Sequence, residues 1–205
     1  MPVVNKDTDE NDCTLWLQLK SGDPQALDAL FTKYYNDLYF YGLKICSNTE
    51  TVVDAIQDVF VQIWESRNKL DHVVNLKAYI LSSFRNHLMR LIKQGKLRIL
   101  RREDMAQKQE RFVFSVEDLL LEEEYRDEIK HRIVEILNSL SQHQREIVYL
   151  KFYGNYSHSE ISEILGIEKQ SVANLLNRTI IAIRKKISKE DLLLMIINTY
   201  IIARL

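Results

Sequence analysis

The chain has 205 residues, of which only five are glycine and two are proline, and its formal net charge at pH 7 is −1. This length fits one large or two small domains, and the scarcity of β-branched runs between turn signals favours a nearly all-helical fold. Two cysteines make neither a disulfide framework nor a clustered zinc site, and no apolar stretch approaches the roughly 20 residues that cross a bilayer. We therefore expect a cytoplasmic protein without a membrane span.

The charges are segregated along the chain, although they nearly cancel overall. Residues 75–111 carry ten Lys and Arg against three Asp and Glu, whereas residues 1–74 carry six against twelve. Residues 112–138 are again acidic, and residues 139–205 are again basic. A polyanion could bind the second and fourth blocks, while the first and third face something basic or remain solvated.

The N-terminal half is predicted to begin with a disordered tail, because residues 1–12 are polar and acidic and show no periodicity. Asp23 and Pro24 are typical of a helix start, and apolar residues then recur at helical spacing as far as Ile45. Asn48 begins a second helix with one apolar face. Its opposite face is polar and acidic, and carries Asp54, Gln57, Asp58, Gln62 and Glu65. Such a stripe suits a solvated face or a docking surface for a basic helix.

A third helix, capped by Asn75, is predicted to combine an apolar face with a basic one. Basic groups neutralise phosphates, while aromatic and amide side chains stack on or hydrogen-bond exposed bases. This helix is therefore a candidate nucleic-acid site, and it is expected to close at Gln94 and Gly95. The side chains that can point outward are Lys77, Arg85, Asn86, His87, Arg90, Lys93 and Lys96.

The C-terminal half is predicted to form four helices after a charged linker. An acidic helix begins with Ser115 and Asp118 and runs to about Leu140, and Ser141 with Gln144 forms a capping box for the next. A second capping box, Ser157 with Glu160, begins a short helix that ends at Gly166, where the chain turns into a further helix. This is a helix-turn-helix pattern, although two ordinary helices of a bundle would match it as well. Its second helix leaves polar positions outward: Lys169, Gln170, Ser171, Ala173, Asn174 and Asn177.

Two further features bear on function. The apolar end of the chain, residues 191–205, is too short to span a membrane and suits a packed final helix or a docking segment. Enzyme chemistry has little support, because His158 and Glu160 cannot share a helix face and no glycine-rich phosphate loop occurs. No catalytic residue and no cofactor are expected.

The order of these elements resembles the extracytoplasmic-function group of bacterial RNA polymerase sigma factors. Residues 53–60 followed by Ile63 and Trp64 look like the polymerase-binding helix of region 2. Residues 75–80 and 84–86 look like the helix that melts the promoter and reads its −10 element. Residues 137–147 and 156–167 look like region 4, which reads the −35 element.

The resemblance implies an all-α fold in which a region 2 helical bundle and a region 4 helix-turn-helix bundle are joined by a linker. The implied partners are core RNA polymerase, promoter DNA and an anti-sigma factor. The expected boundaries are a tail at 1–12, region 2 at 13–95, the linker at 96–115, region 4 at 116–188 and an apolar extension at 189–205.

The resemblance also implies three groups of binding residues. A basic coiled coil of the polymerase would be held by Asp54, Gln57, Asp58 and Glu65. A flipped −10 base would enter a pocket formed by the loop 66–75, with Leu70 near its middle, and by Asn86, with the cost of extrusion offset by pocket contacts. The other −10 contacts would come from Lys77, Arg85, Arg90 and Lys93. The −35 major groove would face Lys169, Gln170, Ser171, Ala173, Asn174 and Arg178.

The sequence departs from the family pattern at three of these positions or their neighbours. Leu175 and Ile180 stand where the family commonly has arginine, and Arg90 stands where an aspartate is frequent. Fewer phosphate contacts from the recognition helix predict a shallower salt dependence there. Two alternatives stay open: a stand-alone helix-turn-helix regulator, which would not need the acidic stripe, and an all-helical protein-interaction adaptor, whose basic patch would be solvated.

Overall fold

The structure is a computed structural model that describes the backbone of residues 6–69, 73, 75–100, 112–115, 118 and 127–186. Every regular element in these ranges is helical and none is a strand, which confirms the all-α prediction. The chain divides near residue 112 into two compact units. The helices are α1 (Lys6–Lys20), α2 (Pro24–Ile45), α3 (Thr49–Ser66), α4 (Leu76–Leu100), α5 (Asp127–Asn138), α6 (Gln142–Val148), α7 (His158–Leu165) and α8 (Lys169–Arg184).

The N-terminal unit contains α1 to α4, and side-chain caps fix where three of these helices begin. The side-chain oxygens of Asp23, Asn48 and Asn75 each accept a backbone N–H from the first turn of α2, α3 or α4, at 2.8–2.9 Å. Each cap satisfies a donor that the helix itself leaves unpaired. The three starts are therefore those predicted from the sequence. The core between the helices includes Leu30, Leu38, Tyr41, Ile56, Ile80, Phe84 and Leu88.

Helix α1 corrects the prediction of a disordered tail at residues 1–12, since it begins at Lys6; residues 1–5 lie outside the described part of the chain. Asp12 is buried, where its carboxylate accepts hydrogen bonds from the Tyr34 hydroxyl and the Lys33 ammonium group. Trp16 packs edge-on against Tyr79 of α4, with ring centroids 6.0 Å apart. These contacts to α2 and α4 hold a segment whose own sequence shows no apolar periodicity.

Gly42 of α2 is buried against side chains of α3 and α4, and its replacement by alanine is expected to destabilise the N-terminal unit. A Cβ atom there would lie 2.6 Å from a methyl carbon of Val52 and 2.9 Å from the ring of Phe84. Overpacking of this kind costs about 1–3 kcal/mol, which exceeds the gain of about 1 kcal/mol from better helix propensity. Urea unfolding followed by tryptophan fluorescence measures the change.

The matched control for this prediction is Gly95→Ala in α4. No heavy atom lies within 4 Å of a Cβ atom added at Gly95. The same chemical change should therefore stabilise the protein by about 0.5–1 kcal/mol, through helix propensity alone. Equal effects of the two substitutions would contradict the packing argument.

The C-terminal unit begins earlier than predicted. Phe112 and Phe114 are fully buried, and the Asn138 side chain both accepts from the Phe114 N–H (2.9 Å) and donates to its carbonyl (2.8 Å). At the other end of the predicted linker, α4 continues past Gly95 to Leu100. The linker predicted at 96–115 is thus shortened at both ends. Residues 116–117 and 119–126 of the predicted acidic helix lie outside the described part.

The aromatic segment Phe112–Phe114 packs on a π-helical turn, Tyr149–Tyr153, that follows α6. The Phe112 ring lies 5.3 Å from that of Tyr149, and the Phe114 ring lies 5.6 Å from that of Tyr153. Burial, together with the nearby Asp118 carboxylate, raises the pKa of Tyr153 well above its usual range. These rings form one aromatic cluster at the base of the C-terminal unit.

The predicted helix-turn-helix is formed by α7 and α8. Both capping boxes are present: Ser141 with Gln144 begins α6, and Ser157 with Glu160 exchanges hydrogen bonds of 2.6 and 3.3 Å at the start of α7. Gly166 makes the turn with φ of 65°, a conformation that costs a residue with a Cβ. The facing sides of the two helices are buried through Ile161, Ile164, Val172 and Leu176.

Candidate functional site

The acidic residues predicted on α3 share one exposed face. Asp54, Gln57, Asp58 and Glu65 are all exposed, and their spacings of three, four and seven residues bring them to the same side of the helix. Val61 lies among them and is 54% exposed. The face therefore combines negative charge with an apolar centre. Docking of a basic amphipathic partner explains this combination better than simple exposure to solvent does.

An apolar groove borders this face, and the sequence analysis missed it. It lies between α2 and α3, has a volume of about 420 Å³, and is lined by Pro24, Leu27, Asp28, Phe31, Gln57, Phe60 and Val61. Leu27 and Phe31 belong to the apolar residues that recur at helical spacing along α2, but both are only half-buried. The available signal was Val61, a β-branched residue placed between polar ones on the solvent side of α3.

On α4 the structure brings together some of the predicted DNA-binding residues and separates others. Asn86, Arg90 and Lys93 are exposed and lie on one side of the helix, and Arg85 is half-buried beside them. Lys77 precedes Asn86 by nine residues, which is about two and a half turns, so it lies on the other side. Leu70 and the side chain of Lys96 lie outside what the structure describes.

Lys77 instead borders a separate small cavity at the start of α4. The cavity has a volume of about 140 Å³ and is lined by residues of α1, the loop before α4 and the first turn of α4: Asp12, Cys13, Trp16, Val73, Asn75, Leu76 and Lys77. The predicted group of −10 contacts therefore divides into two locations.

His87 is buried, which corrects the prediction that it points outward. Its ring connects the acidic face of α3 with the exposed basic side of α4. Nε2 lies 2.9 Å from an Asp58 carboxylate oxygen, and Nδ1 lies 2.7 Å from the Arg90 guanidinium. The Gln62 amide nitrogen lies 3.4 Å from the same Nδ1 atom. A guanidinium has only donors, so Nδ1 must accept and Nε2 must carry the proton that is donated to Asp58. In this arrangement His87 donates from Nε2 and accepts at Nδ1.

Helix α8 presents its predicted reading residues on the side away from the buried stripe. Five of them are exposed and Ala173 is half-buried. The Gln170 side-chain amide donates to the Asn174 side-chain oxygen at 3.3 Å, one helical turn away. The exposed five, which form the surface that an α8 in a DNA groove would offer, are Lys169, Gln170, Ser171, Asn174 and Arg178.

The described ranges contain no candidate metal site and no candidate membrane-spanning helix. No group of His, Cys, Asp or Glu side chains there is placed to hold a metal ion. None of the described helices has the length and apolar character needed to cross a membrane.

The structure is similar to solved sigma factor structures. It matches CnrH, determined in complex with the cytosolic domain of CnrY, with a TM-score of 0.58 and 18% identity over 85% of this chain and 95% of that chain. It also matches the sigma factor RpoE from Bartonella quintana, determined with the anti-sigma factor NepR, with a TM-score of 0.57 and 18% identity over 78% of this chain and 94% of that chain. At this level of identity the likeness concerns the fold.

Comparison with curated proteins finds no match. Two family models match the sequence, and together they cover more than half of it. The model of Sigma-70 region 2 matches residues 30–104, and the model of Sigma-70, region 4 matches residues 130–183. The chain therefore belongs to the sigma-70 family of non-enzymatic transcription initiation factors, in its extracytoplasmic-function type.

Proposed function

We propose that this sigma factor binds core RNA polymerase in the cytoplasm and directs it to promoters, by recognising −10 and −35 elements and melting DNA locally. The observation that carries the proposal is the pairing of two oppositely charged faces in one unit, followed by a helix-turn-helix in the other. A stand-alone DNA-binding regulator needs only the second unit. A protein-interaction adaptor needs neither the exposed basic face of α4 nor the polar face of α8.

Core polymerase would dock on the acidic face of α3. Asp54, Gln57, Asp58 and Glu65 suit a basic helical partner, and an apolar side chain of that partner would fill the adjoining groove beside Val61. Exposed ion pairs contribute little affinity by themselves, so the groove would supply the burial that makes the contact stable, while the charges select the partner and its orientation.

The −10 element would lie along the exposed side of α4. Arg90 and Lys93 suit the phosphates of a separated strand, and Asn86, one turn before Arg90, suits the edge of an extruded base. Arg85 would contribute from the flank. Lys77 would contact a different part of the promoter, because it lies on the opposite side of α4.

The −35 element would be read by α8 in the major groove. Gln170 and Asn174 are the side chains best suited to base edges, where a bidentate amide contact is worth about 1–3 kcal/mol of discrimination. Lys169 and Arg178 suit phosphates. Ser171 and Ala173 have small side chains, which would let the backbone of α8 lie close to the bases in the groove. An anti-sigma factor is a further proposed partner, since the solved relative RpoE carries one.

The test is promoter-dependent transcription with purified components. Core RNA polymerase alone, and core polymerase with this chain, are compared on promoters selected from a random DNA library by the mixture. We expect initiation at discrete sites only when the chain is present. Binding to DNA without core polymerase would favour the stand-alone regulator. Binding to neither core polymerase nor DNA would favour the adaptor.

Arg178 on α8 gives a salt-dependence prediction. Arg178→Ala removes the single phosphate contact assigned to Arg178, so the slope of log affinity against log salt should become less negative by about 0.9. The control is Asn177→Ala, which alters the neighbouring exposed but uncharged side chain and should leave the slope unchanged. Titration of a −35-containing promoter with the polymerase holoenzyme, at several salt concentrations, measures both. Equal slopes for the parent and the Arg178 variant would remove Arg178 from the phosphate contacts.

A further inference from the structure

We propose that His87 is a positioning residue through which the polymerase-facing helix α3 holds Arg90 of α4 ready for promoter phosphate. The inference rests on the proposed function. It adds a link between the two binding faces that neither face requires for itself. Its chemistry is a chain of hydrogen bonds from the Asp58 carboxylate, through the imidazole ring, to the Arg90 guanidinium.

Such a link requires a buried imidazole between two accessible charged groups, and His87, Asp58 and Arg90 differ in burial in this way. The His87 side chain is 6% exposed, whereas that of Asp58 is 54% exposed and Arg90 is also exposed. Only the imidazole is thus removed from water, and its two nitrogens are both satisfied by charged partners. A buried ring with one donor and one acceptor used in this way has a fixed tautomer and a fixed orientation.

Through this chain of hydrogen bonds, Asp58 and Arg90 influence each other by way of the His87 ring. Asp58 polarises the Nε2–H bond, which raises the electron density at Nδ1 and makes it a better acceptor for Arg90. Arg90 carries five N–H donors, so it keeps donors for a phosphate oxygen while one is held by the ring. An arginine that is already ordered loses less side-chain entropy when it binds phosphate.

The sign of the expected effect separates this link from ordinary electrostatics. Asp58 is negative, so removal of its charge should slightly strengthen binding to a polyanion if only long-range charge matters. The link predicts the opposite, because loss of Asp58 frees the ring and releases Arg90. Asp37 provides the matched comparison: it is an exposed carboxylate of α2, belongs to neither of the proposed binding faces, and is not among the hydrogen-bond partners of His87.

The experiment measures promoter binding by holoenzymes assembled at saturating concentrations of the chain, so that altered affinity for core polymerase does not enter. The probe is a promoter selected by the parent holoenzyme. Asp58→Ala should weaken promoter affinity about five- to tenfold, within the range for losing one hydrogen bond, while Asp37→Ala should change it less than about twofold. In a His87→Leu background, Asp58→Ala should have no further effect.

Two additional measurements keep the outcome decisive. His87→Gln retains one donor and one acceptor and should restore part of the affinity that His87→Leu loses, which a mere packing role would not predict. Nitrogen-edited NMR of the free full-length chain should show His87 as the Nε2–H tautomer, with ring signals that shift in Asp58→Ala and not in Asp37→Ala.

The results that overturn the link differ from those that overturn the proposed function. Equal effects of Asp58→Ala and Asp37→Ala on promoter binding, or an undiminished effect of Asp58→Ala without His87, would exclude the link in a working sigma factor. Failure of the parent chain to form a holoenzyme would reject the proposed function. The NMR comparison then still decides whether Asp58 controls the ring.

Discussion

Replacing Asp54 by lysine is expected to weaken binding to core RNA polymerase by about ten- to hundredfold, because it places a positive charge on the face proposed to meet a basic helix. Asp54 is exposed and belongs to no described hydrogen bond, so the substitution should leave the fold intact. Asp58 is the less informative position to reverse, since it also bonds His87. Titration of the labelled chain with core polymerase, followed by fluorescence anisotropy, gives the affinity.

The control for this charge reversal is Asp37→Lys. Asp37 is an exposed carboxylate of α2 and follows Asp28 of the groove by nine residues, so it lies on the far side of that helix. It changes the net charge by the same amount and should alter the affinity less than about twofold. If both variants lose affinity equally, overall charge governs the interaction and the α3 face is not its site.

Helix starts were the part of the fold that could be predicted best from sequence. Asn48, Asn75, Ser141 and Ser157 precede apolar residues at helical spacing, and each does cap a helix. The reason is that a cap is a local interaction, made within three residues of the chain. The division of Lys77 from Asn86 was also predictable, because the angular position of a residue on a helix follows from its number.

Positions decided by distant partners could not be predicted in this way. Asp12 looked like part of a polar tail, and its burial depends on the Tyr34 hydroxyl. His87 looked like another outward polar residue of α4, and its burial depends on Asp58, 29 positions earlier in the chain. A polar side chain can be buried when a partner satisfies it, and the sequence does not indicate which residues will meet.

The pattern of charge along the sequence predicted the charged faces of α3 and α4 well, but it predicted the contacts of single residues poorly. The acidic stripe of α3 and the basic face of α4 are properties of several side chains, so one misplaced member does not change them. Individual roles are more sensitive. Arg90 is both a member of the basic face and a partner of His87, and only the structure shows the second role.

Replacing Phe112 by alanine is expected to cost the C-terminal unit about 3–5 kcal/mol, the usual effect of deleting a buried aromatic ring. Phe112 is fully buried, with its ring centroid 5.7 Å from that of Phe114 and 5.3 Å from that of Tyr149. A domain is stabilised by only about 5–15 kcal/mol, so the loss should leave the helix-turn-helix marginal. Hydrogen exchange at the amides of α6 and α8 measures it.

Both tryptophans, Trp16 and Trp64, belong to the N-terminal unit, so tryptophan fluorescence reports the unfolding of that unit alone. We expect that transition to be unchanged in Phe112→Ala. The matched control is the next residue: Val113 is 48% exposed, and Val113→Ala should cost less than about 1 kcal/mol. Similar losses for Phe112→Ala and Val113→Ala would mean that the segment is not anchored by its buried rings. Faster exchange in α6 and α8 for Phe112→Ala alone would establish that the region 4 unit begins at Phe112, inside the segment that the sequence assigns to a linker.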